Sequence, residues 1–380
     1  MLAAYAVSAV VVTIQRGFFG FPNDFAIFRA AFWNLVSRRD LYVLRMAEAH
    51  DYFKYSPTFA LLFAPFAVPP FLVGLFLWNA FNAITLFFAL KVLLPRREAL
   101  VAQALAFLPM LRNMQSSQSN SLVAALIIFA FVAYTREWTW RGSVAVAAGT
   151  FIKVFPAAAA TFALARGRKL HSLVVLAITT TVFALLPVLV VGPTALQSEY
   201  ASWLALQRRE TGLLGSSLMA LLHSAGVNIP AWAIQFAGAA LVVSILFLRR
   251  GSWGDFVFNR QFLALVMIFC VLFNHRAEPQ SRVIAVTGMA IWLLVSPRTW
   301  WRICLFGAAF AFTSLVGSEL TPSFIKGAFG SHLRFAVPLV TVWVAILADI
   351  VRPPALLEQQ RAEAYQLDAT PRDRRFDARG

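Results

Sequence analysis

The chain has 380 residues, of which 60% are hydrophobic and only 13% charged, and its mean hydropathy is +0.71. No soluble domain has an interior large enough to hide that much apolar surface, so the bilayer must be part of its solvent. The net charge of +16 is not a nucleic-acid signature, because the basic residues collect in short segments between apolar runs and in the tail, where they set topology and meet anionic lipid.

The apolar runs are continuous and do not alternate, which excludes a transmembrane barrel and predicts an all-α polytopic membrane protein. Segmentation gives about eleven to thirteen runs, several shorter than the roughly 20 residues a perpendicular helix needs. Leu2–Ile14 reads as the first spanning helix. Gly20–Pro57 follows, the longest polar-containing stretch of the first half. It carries one acid, Asp24, directly after the first run. A short amphipathic helix is predicted over Phe25–Val36, where Phe25, Phe28, Phe32 and Leu35 recur at helical spacing. Arg38 and Arg39 come next, and then the aromatic and basic cluster Tyr52, Phe53, Lys54 and Tyr55. An acid among cations and aromatics at a membrane surface suits a lipid-linked anionic substrate; the alternative is a loop that only anchors at the headgroups.

Further along, the runs Ser56–Val68, Phe71–Leu90 and Leu100–Leu111 lead to a polar turn, Asn113–Asn120. Ser121–Tyr134 and Ser143–Leu164 come next, the latter broken by Lys153 and Pro156. A lysine within such a run faces a cavity or a partner more readily than lipid. The second half holds runs at Leu173–Val191, Ala231–Leu248, Phe262–Phe273, Val283–Val295, Ile303–Val316 and Phe335–Ile350. Basic clusters at Arg249-Arg250, Arg298–Arg302 and from Arg352 onward put those ends in the cytoplasm. Gly192–Asn228, Asn274–Arg282 and Gly317–Arg334 then share the outer side. Placing Lys91–Arg97 and Arg136–Arg141 inside conflicts with a simple alternation that keeps Asp24 outside, and a re-entrant hairpin at Ser143–Leu164 is the expected resolution. Residues 1–351 form one transmembrane domain, and the charged 352–380 reads as a cytoplasmic tail.

The outer loop Phe273–Arg282 packs His275, Arg276, Glu278 and Arg282 together, a set suited to gripping phosphate because guanidinium binds its oxygens in pairs. Ser198–Ser217 adds Tyr200, Trp203, Arg208, Arg209 and Glu210, for which interfacial anchoring is a sufficient account. Cys270 and Cys304 lie in apolar runs and give neither disulfide nor metal spacing. No nucleotide-binding loop, dinucleotide fingerprint or nucleophile elbow occurs, and no cofactor is called for.

The order of motifs is similar to that of glycosyltransferase family 87. The resemblance rests on Asn23-Asp24-Phe25, Tyr55-Ser56-Pro57, Leu77-Trp78-Asn79 with Asn82, Gln118-Ser119-Asn120, and Ala148-Gly149 with Lys153-Val154-Phe155-Pro156, and it runs from about Gly20 to Pro338. The family commonly shows Gly-Gln where this chain has Ser117-Gln118. The resemblance implies a GT-C-like bundle in the plasma (inner) membrane. It also implies inverting transfer of a mannose-like hexose, on the non-cytoplasmic face, from a polyprenyl-phosphate sugar to a glycolipid or glycan acceptor. By position Asp24 would be the general base. Lys153, His275, Arg276, Arg282 and Lys54 are the candidates for the donor phosphate, and Tyr55, Gln118, Asn120 and Glu278 for other substrate contacts. The rival from another class is a flippase or transporter of lipid-linked sugars, which would also present buried cations to a phosphate but needs no general base.

Overall fold

A computed structural model describes residues 1–351 apart from 49, 166, 211, 213 and 317–330. The charged tail and most of the segment expected at Gly317–Arg334 lie outside the described residues. Within them the chain is helical, as the continuous apolar runs require.

Helix α1 (Leu2–Phe18) rises to the rim that carries Asp24, and α2 (Asn23–Val36) leaves it at an angle of 81°. Its buried face is Phe25, Phe28, Phe32 and Leu35, the stripe expected from spacing. Two short helices, α3 (Pro57–Leu62) and α4 (Ala64–Ala67), stay at this rim. The start of α3 is set by Ser56, whose hydroxyl accepts from the Phe59 amide, with Pro57 at the first helical position. Arg29 of α2 donates to the carbonyls of Ala67 and Pro69, at 3.0 and 3.5 Å, and so ties α2 down on α4.

The run Ser56–Val68 is therefore not a membrane crossing, and this removes the topological conflict in the first half. From here α5 (Phe71–Leu93) descends, α6 (Arg96–Gln115) ascends, α7 (Asn120–Thr135) descends and α8 (Thr139–Ile152) ascends. Lys91, Arg96, Arg97, Arg136 and Arg141 then all lie at the far end from Asp24.

The run Ser143–Leu164 does turn back on itself, and Pro156 explains where. Its ring cannot coexist with the carbonyl four residues earlier, on Ile152, and it offers no N–H to that carbonyl. The helix stops at Ile152, Lys153 is extended, and a 3-10 turn over Phe155–Ala160 with α9 (Thr161–Leu164) returns to the far end. Gly149 makes room for this: a Cβ there would lie 3.1 Å from the Pro156 ring. Phe155 accepts from the Cys270 thiol at 3.3 Å, while Phe162 meets Phe131 and Phe262 at the other end. Lys153 thus stands at a helix end on the rim, not in mid-bilayer.

The second half continues with α10 (Lys169–Leu185), α11 (Val188–Val191), the rim helices α12 (Pro193–Arg209) and α13 (Leu218–Ser224), then α14 (Ala231–Leu248), α15 (Phe256–Leu272), α16 (Arg282–Val295), α17 (Trp300–Phe310) and α18 (Ser331–Val351). Among the described residues four helices are long and apolar enough to cross a bilayer alone: Phe71–Leu93, Lys169–Val191, Ala231–Leu248 and Leu333–Val351. Shorter apolar helices fill the bundle between them. Of these, α7, α15 and α16 are apolar on all sides and almost wholly buried, as core helices of a bundle are. The chain is an all-α polytopic membrane protein.

Candidate active site at the bundle rim

The polar turn between α6 and α7 is the scaffold of the site. Ser117 holds a left-handed backbone, φ 53°, which turns the chain within a few residues. Around it the Asn113 side chain donates to the Gln118 carbonyl at 2.8 Å and accepts from the Asn120 amide at 3.2 Å. Trp78 of α5 donates to the Ser117 carbonyl at 2.8 Å, and Asn82 accepts from the Leu122 amide at 3.1 Å. The Trp78 and Asn82 side chains of the α5 motif are thus supports for the turn.

On that scaffold Gln118 is held in one orientation. Its Nε2 donates to Asp24 Oδ2 at 3.0 Å, and its Oε1 accepts from the Tyr55 hydroxyl at 2.8 Å. Asn120 accepts from Lys153 Nζ at 2.9 Å, and the same ammonium lies 3.8 Å from Glu278 and 5.7 Å above the Tyr55 ring. Asp24, Tyr55, Gln118, Asn120, Lys153 and Glu278 therefore make one connected cluster, drawn from α2, the lead-in to α3, the α6–α7 turn, the end of α8 and the loop before α16. Asn120 Nδ2 is buried with no partner among the described residues, so it is a donor available to a ligand.

Asp24 is a half-buried carboxylate at the bend above α1. Burial raises its pKa from 3.8 to about 6, the charge of Glu278 adds to this, and Lys153 and the Gln118 amide pull it back. A carboxylate poised there is ionised at neutral pH and still basic enough to take a proton.

The other cations expected at the donor phosphate are placed differently. Arg276 is paired with Glu210, and Lys54 lies 2.7 Å from Asp51 and 3.7 Å from the same Glu210. His275 turns to α14, with Nδ1 3.4 Å from Gln235 Nε2, and burial lowers its pKa. Arg282 lies over the Phe335 ring at 5.0 Å and feels the charges of Arg112 and Arg334. Loop 274–278 itself is held to the segment before α13, where the Gly215 and Ser216 amides donate to the carbonyls of His275 and Ala277 at 2.7 and 2.8 Å. A Cβ on Gly215 would come 2.5 Å from that Ala277 carbonyl.

Sequence reasoning missed two roles. Glu210 is the shared counter-ion of Arg276 and Lys54, and its place in a run of charged residues gave no sign of that. Tyr200 and Trp203 are not only interfacial anchors: Trp203 Nε1 and Gln207 Nε2 both donate to the Lys54 carbonyl, at 3.1 and 2.8 Å, and the Tyr200 hydroxyl donates to the Ala184 carbonyl at 3.0 Å. The two bonds to the Lys54 carbonyl hold the extended segment that leads into Tyr55. Among the described residues no three His, Cys, Asp or Glu side chains group closely enough to hold a metal ion.

Comparison with known proteins gives one family. The model of glycosyltransferase family 87 matches residues 53–297. That stretch takes in Tyr55, the polar turn, Lys153 and the loop 274–282, and it starts after Asp24, so it is shorter at both ends than the resemblance read from motifs. No curated protein sequence matches the chain.

Proposed function

Because the chain belongs to glycosyltransferase family 87, and is therefore a membrane glycosyltransferase, we propose that it moves a mannose-like hexose from a polyprenyl-phosphate sugar to a glycolipid or other membrane-proximal glycan, with inversion and with Asp24 as general base. The single observation that supports this most is the Asp24 carboxylate, held by Gln118 on the same rim as Lys153 and Glu278. The acceptor oxygen forms a bond to the anomeric carbon on the face opposite the phosphate. The bond from that carbon to the phosphate oxygen breaks, and the acceptor proton passes to Asp24. The leaving group is polyprenyl phosphate, whose charge grows as it departs and needs cations close by. A lipid-borne donor accounts for a protein that is nearly all membrane, since the prenyl chain can lie between apolar helices with its headgroup at the rim. This is the GT-C type of enzyme.

We read the short far-end connections, with Lys91, Arg96, Arg97, Arg136, Arg141, Arg168, Lys169, Arg249, Arg250, Arg298 and Arg302, as the cytoplasmic side by positive-inside bias, although the rim carries Arg38, Arg39, Lys54, Arg208, Arg209, Arg276 and Arg282 as well. The Asp24 rim is then the non-cytoplasmic face of a multi-pass plasma (inner) membrane protein. The test is reconstitution of the purified protein with a panel of radiolabelled polyprenyl-phosphate sugars, read by extraction of labelled products. Transfer is expected from one donor and its loss in Asp24→Asn, by about a hundredfold or more. An Asp24→Asn variant that transfers near the wild-type rate removes the reading, and movement of the donor across the bilayer without transfer replaces it with a transporter.

A further inference from the structure

Two acids face cations on the rim, and they are held differently. The Glu210 carboxylate is buried and shared by Arg276 and Lys54, so it is fixed from two sides. Glu278 is not fixed in this way. Its Oε2 lies 3.8 Å from the Lys153 ammonium, too far for a hydrogen bond, and is buried with no hydrogen-bond partner among the described residues. The rest of its side chain is open, 41% exposed against 13% for Lys153. Ser281 holds only the backbone there, its amide and hydroxyl donating to the Glu278 carbonyl at 3.0 and 2.6 Å. The carboxylate is therefore free to swing away on its own side-chain torsions.

What Glu278 faces is a seat for a larger anion. Lys153 Nζ donates to Asn120 Oδ1 at 2.9 Å, which fixes the way round that this amide sits. Asn120 is wholly buried, and its Nδ2, on the other arm of the same amide, has no partner among the described residues. The ammonium and this second donor are thus no more than about 5 Å apart, a gap that two oxygens of one phosphate bridge. Asn120 also opens α7, a helix of 16 residues with no acid in its first turn, so the positive end of the helix dipole adds to the same place. Gln118, which holds Asp24, is two residues away on the turn, at most about 7 Å of backbone. The Glu278 carboxylate balances the ammonium at a distance and hydrogen-bonds neither donor. A phosphate has the oxygens and the charge to satisfy both.

We propose that Glu278 competes with the donor: its carboxylate balances Lys153 between turnovers and yields the Lys153–Asn120 seat to the phosphate of the lipid-linked sugar. This rests on the polyprenyl-phosphate reading above. It turns Glu278, which sequence alone suggested as a substrate contact, into a residue that the substrate displaces. Return of the carboxylate to Lys153 then helps the polyprenyl phosphate product to leave, because two anions on one ammonium repel each other.

The test is binding of polyprenyl phosphate, of the same polyprenol without phosphate, and of phosphatidylglycerol to the purified full-length protein in detergent, with inorganic phosphate as competitor. It is done for wild type, Glu278→Gln, Lys153→Met and Asn120→Asp. Wild type is expected to prefer polyprenyl phosphate over polyprenol. Glu278→Gln should bind polyprenyl phosphate about fivefold more tightly, and transfer by this variant should be more strongly inhibited by that product. Lys153→Met and Asn120→Asp should each lose about ten- to a hundredfold. All three should bind polyprenol as wild type does, which shows that they are folded. Competition by inorganic phosphate should strengthen in Glu278→Gln and vanish in Lys153→Met, since the seat reads the phosphate and not the lipid. If Glu278→Gln binds polyprenyl phosphate no better than wild type, or worse, the exchange is overturned while the donor reading stands. An equal gain for phosphatidylglycerol would make Glu278 a guard against anionic lipid in general and overturn its assignment to the donor. If wild type shows no preference for the phosphate at all, the donor reading fails and takes this one with it.

Discussion

The side-chain nitrogen of Gln118 lies 3.0 Å from the Asp24 carboxylate, across 94 positions of sequence. In the proposed reaction this bond leaves the second carboxylate oxygen for the acceptor hydroxyl, and the Tyr55 hydroxyl on the other end of the same amide keeps it from flipping. Gln118→Leu is expected to lower transfer by about tenfold, since it removes one hydrogen bond to a charged group. Tyr55→Phe should cost less, because the amide is still held by the turn. Steady-state rates at saturating donor check both, and a Tyr55→Phe loss exceeding that of Gln118→Leu would contradict the order.

The activity should fall on the acid side with an apparent pKa near 6, the value that burial gives Asp24. The base works only when ionised, so rate rises with pH through that value. Glu278 raises the Asp24 pKa and Lys153 lowers it. Glu278→Gln should therefore shift the acid limb to lower pH, and Lys153→Met should shift it higher. The same shift has a cost in stability: a carboxyl that titrates near 6 when folded and at its ordinary 3.8 when unfolded disfavours folding, increasingly as pH rises from about 4 to 6 and fully above that. Asp24→Asn is thus expected to melt higher than wild type at pH 7 while being inactive. Thermal melts in detergent at pH 4 and 7 would show the gap only at the higher pH.

Ser117 occupies the left-handed region at φ 53°, where a side chain costs about 1 kcal/mol relative to glycine. Its hydroxyl is buried without a partner among the described residues as well. The turn asks for glycine and this chain tolerates serine, which fits the Gly-Gln that the motif resemblance leads one to expect at this point. Ser117→Gly should leave activity unchanged and raise thermal stability, whereas Ser117→Val should lower both by displacing Gln118. A melt of Ser117→Gly below wild type would refute the strain argument.

How much of this was legible in the sequence depended on range. The stripe Phe25, Phe28, Phe32 and Leu35 is a local period, and it gave α2 and the position of Asp24 directly. Lys153 and Pro156 marked a break because proline acts on its own preceding turn. The α6–α7 turn was visible as a run of amides and hydroxyls. Ser56–Val68 could not be told from a crossing by composition; ties from Ser56 to the Phe151 carbonyl, Thr58 to the Phe183 carbonyl and Arg29 to the Ala67 carbonyl hold it at the rim. The sharing of Glu210 by Arg276 and Lys54 joins residues far apart in the chain. No local pattern records such pairings.

The last expectation concerns the end of the bundle opposite Asp24. There Asp349 of α18 receives Nε and a terminal nitrogen of Arg302 at 3.0 and 2.6 Å and the Trp292 indole at 2.9 Å, all buried. The second guanidinium nitrogen of Arg302 donates to the Pro297 carbonyl at 2.9 Å. This joins α16, α17 and α18 at a point remote from the site. Asp349→Asn strands the arginine charge in a place without water, which costs about 3–5 kcal/mol in buried pairs of this kind. Replacing both partners, as Asp349→Asn with Arg302→Met, should recover part of the loss because no lone charge remains. Protein that survives purification in the single variant is expected to keep the wild-type rate per folded molecule, since none of these groups reaches the Asp24 rim. Melting temperature and specific activity measured on the same samples separate the two effects, and a fall in rate without a fall in stability would place this pair in the reaction after all.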